Sequence, residues 1–217
     1  MHHYKVIIFD WDGTVMDSVE RIVSSMRSAA NVVGLPVPTA NQVKQIIGLS
    51  IPEATNILFP SCTAEQAEAL RLSYKKHYIE IDQTPSPLFA HAEQLFTDLL
   101  AQGKYLAVAT GKGRDGLERV FELSNTKHYF HTSRCAKECK SKPDPDMINQ
   151  ILTELNIDAS EAVMIGDTTH DMSMAKNANI DRIGVTFGVH DHQALSKFQP
   201  KAIVDSLLEL SNLLIKA

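Results

Sequence analysis

The chain has 217 residues, 44% of them apolar and 22% charged, the balance of a soluble globular protein that can bury a substantial core. Its 21 basic and 26 acidic residues leave a net charge of −5, which argues against a nucleic-acid partner, because phosphate contacts need clustered Lys and Arg. No apolar run approaches the ~18 residues that cross a bilayer, which argues against a membrane partner.

Val6–Phe9 is a short apolar run that stops at Asp10. It suits a strand buried on both faces of a parallel sheet, and it is too short for the apolar core of a signal peptide. Residues 15–87 then read as helix only. Val19, Ile22, Val23, Met26, Ala30 and Val33 form one apolar stripe ended by Gly34. Thr63-x-x-Gln66 is a capping box that opens a helix through Tyr78. Pro36, Pro38, Pro52 and Pro60 punctuate the stretch between, and Pro85 and Pro87 mark its end.

Strand and helix alternate from there on. Leu95, Phe96, Leu99 and Leu100 repeat at helical spacing until Gly103. Tyr105–Ala109 is an apolar strand, followed by the helical triplet Leu117, Val120 and Phe121. Tyr129-Phe130 is a candidate for a further short strand. The stripe Met147, Ile148, Ile151, Leu152 and Leu155 predicts a helix opened by Asp144 as N-cap, with Pro145 in its first turn. Ala162–Ile165 and the weaker runs Ile183–Val185 and Ala202–Val204 complete the strands. The expected fold class is α/β, a doubly wound, mostly parallel sheet core over 1–14 and 88–217, with an all-helical cap inserted over 15–87. Ligands in open α/β sheets bind beyond the carboxyl ends of the strands. An insert leaving from that edge lies over the site as a lid.

Four short segments carry chemistry. Asp10-Trp11-Asp12-Gly13-Thr14 directly follows the first strand; one carboxylate can attack while the other handles protons, and both are hard oxygen ligands suited to Mg²⁺. A turn rich in Asp and Gly is the plain alternative. Gly166-Asp167-Thr168-Thr169-His170-Asp171 closes the Ala162–Ile165 strand. Strand ends of one parallel sheet share an edge, so Asp167 can meet Asp10 and Asp12. Carboxylates gathered this way repel, and a divalent cation answers that repulsion. Thr110-Gly111 supplies a hydroxyl and backbone N–H groups for a phosphate cradle, or simply a helix N-cap. Lys142-Pro143-Asp144-Pro145 supplies a cation on a stiffened loop, or a solvated lysine.

Together these segments, in this order, resemble the haloacid dehalogenase-like hydrolase superfamily, and within it the phosphoglycolate-phosphatase-like members with a helical cap. The resemblance implies a Mg²⁺-dependent phosphatase acting on a small phosphorylated metabolite in the cytoplasm, as a monomer or homodimer. It implies Asp10 as the nucleophile, Asp12 as general acid/base, and Mg²⁺ between the Asp10 carboxylate, the Asp12 backbone carbonyl and the Asp167 carboxylate. Asp171 is implied as support for the metal or as the group that orients Lys142. Lys142 and Thr110, with the backbone N–H groups of Trp11 and Gly111, are implied as phosphoryl binders, and Gly13 as the bend at the lid. Three cysteines fit the same reducing compartment.

Asp12 favours phosphate esters, because carbon–halide dehalogenases of the superfamily lack an aspartate there and phosphonate hydrolases carry alanine. The phosphonate enzymes also need a cap lysine, and Lys44 reads as a solvated helix residue. The cap segment Ile47-Gly48-Leu49-Ser50-Ile51-Pro52 resembles the one lying over the site in relatives. In related phosphomutases it continues into an arginine for a second phosphate; here that place falls on Ile51, with Arg71 or Arg114 as substitutes. A phosphomutase of the β-phosphoglucomutase type and a catalytically silent binding protein are the alternatives. Lys112 either meets an anionic substrate or opens the next helix, and Trp11 either lines the cleft or packs under the cap. Cys135 and Cys139 lack a second ligand pair for zinc, His170 is expected at the surface, and His2 and His3 are too few for a metal tag.

Overall fold

The structure, a computed structural model, describes residues 1 and 3–215; His2 lies outside the described residues. The elements run β1 (Val6–Phe9), α1 (Val19–Val33), α2 (Ala40–Lys44), α3 (Ile51–Leu58), α4 (Ala64–Lys76), α5 (Ala92–Ala101), β2 (Tyr105–Gly113), α6 (Arg114–Ser124), β3 (Thr132–Ala136), α7 (Asp146–Leu155), β4 (Ala162–Gly166), α8 (Thr169–Asn177), β5 (Asp181–Val185), α9 (His192–Ser196), β6 (Ala202–Val204) and α10 (Leu207–Leu214). The strands form one sheet in the order β3-β2-β1-β4-β5-β6, with every pair parallel. The order reverses direction between β1 and β4, the place where a doubly wound sheet opens a crevice.

Two-residue alternation sends the strand side chains to two cores. Ile7, Phe9, Leu106, Val108, Val163 and Ile165 face α5, α6 and α10. Val6, Ile8, Ala107, Ala109 and Met164 face α7 and α8. A third cluster, built on Val19, Ile22, Val23, Met26, Val43, Ile47 and Leu70, fills the insert, with Val189 of the core packed against it. Its helices begin and end as their sequences prescribe: Thr39 and Thr63 both make full capping boxes, and Gly34 ends α1 at φ 75°. After Lys76 the chain widens into a π-helical turn over His77–Ile81, carrying the helix past Tyr78.

The two crossings between core and insert pair with each other. Met16 and Leu88 form an antiparallel bridge; Asp17 donates to the Pro87 carbonyl at 2.8 Å and Phe89 to the Val15 carbonyl at 3.0 Å.

Two local expectations are corrected. Tyr129 ends a 3-10 turn, Lys127–Tyr129, and Phe130 follows it. Both rings plug the core beside Phe96, and the strand is the more polar Thr132–Ala136 at the sheet edge, where apolar continuity is not required. The second concerns α7: Pro145 sits at the N-cap, and Asp144 instead accepts from the Asp146 N–H at 3.0 Å.

Candidate active site

The β1–α1 turn is tight: the Trp11 carbonyl accepts from the N–H groups of Thr14, Val15 and Met16, and Gly13 adopts φ 82°. That curl lets Gly13 pass directly over Asp167. A Cβ there would lie 2.3 Å from Asp167 Oδ2, so both the positive φ and the close approach call for glycine. Asp167, at the end of β4, is fixed from two sides. Thr14 Oγ1 donates to its Oδ1 at 2.8 Å, and the Val189 N–H donates to its Oδ2 at 2.8 Å. Gly188 makes that second approach possible, since a Cβ on it would sit 2.2 Å from the same Oδ2.

Lys142 reaches the same point from the β3–α7 loop. Its ammonium, wholly buried, donates to Asp10 Oδ1 at 2.7 Å and to Asp171 Oδ1 at 2.6 Å. Asp171 is held in turn by the N–H and hydroxyl of Thr168, which caps α8. Asp10, Asp167 and Asp171 present ligand oxygens within 4.8 Å of one another. Three carboxylates thus face one ammonium, an excess of two negative charges in a buried space. Burial pushes Asp10 well up from the ordinary carboxylate range; Lys142 pulls against it, while Asp171 and Asp167 add to it. Burial, and next the Asp171 charge, raise Asp167 to about 7. Asp10 Oδ2 is buried without a hydrogen-bond partner. An orphaned oxygen beside surplus negative charge suits a hard divalent cation such as Mg²⁺.

Asp12 points the other way, toward the cap. Ser18 Oγ donates to its Oδ1 at 2.7 Å, and Lys112 Nζ lies 3.0 Å from its Oδ2. Its carboxylate is outside the acidic triad, which leaves only its backbone carbonyl for a metal. Lys112 is neither an exposed helix-start residue nor a free cation: it is at the end of β2, largely buried, and its ammonium sits 4.8 Å from the centre of the Tyr78 ring. Thr110 is buried at the end of the regular part of β2, and its hydroxyl accepts from the Lys112 N–H at 3.1 Å. Asp10, Asp12, Thr110, Gly111 and Lys112 line one cavity of about 440 Å³ between core and cap.

Trp11 is corrected as a substrate contact through its side chain. The indole is fully buried, packs edge-on against Phe121 and Phe130 in the sheet core, and does not line the cavity. Strand alternation explains it, because Trp11 continues the inward face of Ile7 and Phe9. His170 is half-buried, not free at the surface: its Nε2 lies 3.1 Å from the Gln45 carbonyl of the cap. The cap loop rests on the core elsewhere as well. Ser50 N–H donates to Ser141 Oγ at 3.1 Å, and a Cβ on Gly111 would lie 2.3 Å from the Gly48 carbonyl oxygen. Thr14 closes the first acidic segment, whereas Ser18, Tyr78 and the Gly188-Val189 pair belong to no sequence motif. Ser18 follows that segment closely, a proximity that hints at it; the others lie far off in the chain.

The family model of haloacid dehalogenase-like hydrolases matches residues 7–185 of the chain, a span that includes all four of the segments that carry chemistry. The chain belongs to this family. It is 32% identical over 209 residues to the protein named "Probable phosphatase IndB" of Dickeya dadantii, covering 94% of this chain and 91% of that one. It is 26% identical over 215 residues to a phosphoglycolate phosphatase of Vibrio cholerae, covering 95% of each. A solved haloacid dehalogenase-like hydrolase structure from Bacteroides fragilis superposes with a TM-score of 0.87 at 27% identity, over 95% of this chain and 99% of the other. Within the family the chain is of the phosphoglycolate-phosphatase-like, helically capped kind. Among the described residues no helix is long and apolar enough to cross a membrane.

Proposed function

We propose that this phosphatase hydrolyses a small phosphorylated metabolite through an aspartyl phosphate on Asp10, with Mg²⁺ held by Asp10, Asp167 and the Asp12 backbone carbonyl, and supported by Asp171. The observation that carries the reading is the convergence of Asp10, Lys142, Asp167 and Asp171, from three separate segments, into one buried cluster with an orphaned Asp10 oxygen.

Bound there, Mg²⁺ would offset the repulsion between an anionic carboxylate and an anionic phosphate. Asp10 attacks phosphorus, the P–O bond to the alcohol breaks, and the departing oxygen takes a proton from Asp12. Such positioned proton transfers contribute about 10²–10⁴-fold. Asp12 then takes a proton from water as that water attacks phosphorus, releasing phosphate and restoring Asp10. Lys142 fixes the nucleophile's orientation, and Thr110 with the backbone of Gly111 meets the phosphoryl oxygens. Lys112 holds Asp12 at the mouth of the cavity, on the side where the leaving group must lie.

A mutase needs a cation in the cap for its second phosphate. Ile51 lines the cavity there, Arg71 is taken by Glu68 at 2.6 Å, and Arg114 by Glu138 at 2.7 Å; the arrangement favours hydrolysis. The test is turnover of an aryl phosphate with Mg²⁺ and then with EDTA, alongside acid-quenched mass spectrometry of the protein. A phosphorylated Asp10 peptide and loss of turnover with EDTA are expected. Inactivity across a broad phosphoester panel overturns the reading and favours a binding protein.

A further inference from the structure

The cavity in front of Asp10 exceeds what the smallest family substrates fill. Its volume of about 440 Å³ is that of roughly fifteen waters at ~30 Å³ each, more than a phosphoryl group joined to a two-carbon acid occupies. The cap side of this space is apolar, walled by Ile22, Met26, Ile47, Leu49, Tyr74 and Tyr78. Tyr74 and Tyr78 stand side by side, with ring centroids 5.9 Å apart.

The cations around the cavity are mostly engaged. Lys112 is paired with Asp12, Arg71 with Glu68, Arg114 with Glu138 and Lys75 with Asp115. Arg119, half-buried, and Lys137, exposed, also border it. A second anionic group on the substrate would have to displace a carboxylate or stay near those two. Tyr78, by contrast, is only 7% exposed and borders the cavity with its ring, while its hydroxyl is sealed from that space and lies within reach of Lys112.

We propose that the substrate is the phosphomonoester of an uncharged, ring-bearing alcohol, whose ring packs against the apolar cap wall that Ile22, Met26, Ile47, Leu49 and the Tyr74–Tyr78 pair form. The inference rests on the phosphatase reading and narrows its substrate. An aromatic ring gains from an apolar wall what a carboxylate or second phosphate loses there.

The experiment compares kcat/KM, with Mg²⁺, for ethyl phosphate, benzyl phosphate, the hydroxybenzyl phosphates, phosphoglycolate and a hexose bisphosphate. All have primary-alcohol or sugar leaving groups, so ring recognition is not confused with an activated phenol. Benzyl phosphate is expected at least about tenfold above ethyl phosphate and phosphoglycolate. Tenfold is about 1.4 kcal/mol, the return on roughly 55 Å² of apolar surface. The hydroxybenzyl phosphates are expected at or below benzyl phosphate, because an apolar wall offers their hydroxyl no partner. Ile51→Arg is expected to shift preference toward the anionic esters. Calorimetric binding of benzylphosphonate against methylphosphonate separates the two readings. Preference for benzylphosphonate without hydrolysis of any ester supports the ring site and overturns the phosphatase. Hydrolysis led by phosphoglycolate or the bisphosphate overturns the ring site and leaves the phosphatase standing.

Discussion

The Lys112 ammonium lies 3.0 Å from the Asp12 carboxylate and 4.8 Å from the centre of the Tyr78 ring. Core, acid/base candidate and cap therefore meet at one cation. Burial works against the lysine's charge, but Asp12 outweighs it and holds the ammonium protonated. Lys112→Met should unfix Asp12 without touching Asp10. Turnover should fall about 10-fold or more for alkyl phosphates, whose alkoxide needs a proton, and little for p-nitrophenyl phosphate, whose leaving group does not. Asp12→Asn should lose more, and on both substrate types, with alkyl phosphates hit harder, because water attack on the aspartyl phosphate also needs Asp12 as base. Equal losses on both substrate types would assign Lys112 to general binding instead.

Asp10→Asn removes the nucleophilic charge while keeping its shape. Turnover should fall by about 10³-fold or more, in keeping with loss of a covalent nucleophile, with an unchanged circular dichroism spectrum. Retained activity would refute the assignment.

Lys142 has a structural as well as a chemical role. Lys142→Met leaves Asp10 and Asp171 buried without their shared ammonium, and breaking a buried pair this way costs about 3–5 kcal/mol. Urea unfolding should register that loss. Adding Asp171→Asn should recover part of the stability and none of the activity.

The pH dependence of stability follows from Asp167. Its carboxyl titrates near 7 when folded, against 3.8 as a free side chain. The folded state therefore binds the proton more tightly, and that contribution to stability is complete below about pH 4 and lost as pH rises through 7. The thermal midpoint of EDTA-treated protein should fall across that window more steeply than that of Asp167→Asn. Mg²⁺ favours the ionised carboxylate and should raise the midpoint more at pH 8 than at pH 5.

Gly111→Ala would place a methyl group 2.3 Å from the Gly48 carbonyl oxygen. The cap loop must then lift. KM should rise several-fold, while unfolding free energy changes by less than about 1 kcal/mol, because the contact joins two separately cored parts. An unchanged KM would show that this contact does not govern closure.

The strand–helix alternation and the insert were legible because each buried strand is a bare apolar run and each cap helix carries its own start and stop residues. Tyr129-Phe130 misled for the same reason: apolar pairs signal burial, and burial here is a plug beside Phe96 instead of a strand. The meeting of Asp10 with Asp167 was legible because strand ends in a parallel sheet share an edge, while Lys142 and Asp171 were indicated by the family resemblance and not by that geometry. What the sequence did not disclose were partners chosen by long-range loop geometry. Val189 reaches Asp167 from beyond β5, and the π-helical turn at His77–Ile81 brings Tyr78 to the cavity. Lys112 was visible as a cation, but its partner depends on Asp12 turning away from the triad, a rotamer choice that no spacing encodes.

The paired crossings at Met16 and Leu88 give the molecule a double-stranded joint, and Asp12 is tied on both sides of it. Ser18, at the foot of the first cap helix, grips one carboxylate oxygen; Lys112, on the central sheet, grips the other. Both oxygens of the Asp12 carboxylate are therefore held only while the first cap helix and the sheet keep this placement, which ties the proton-handling group to the docking of the two parts.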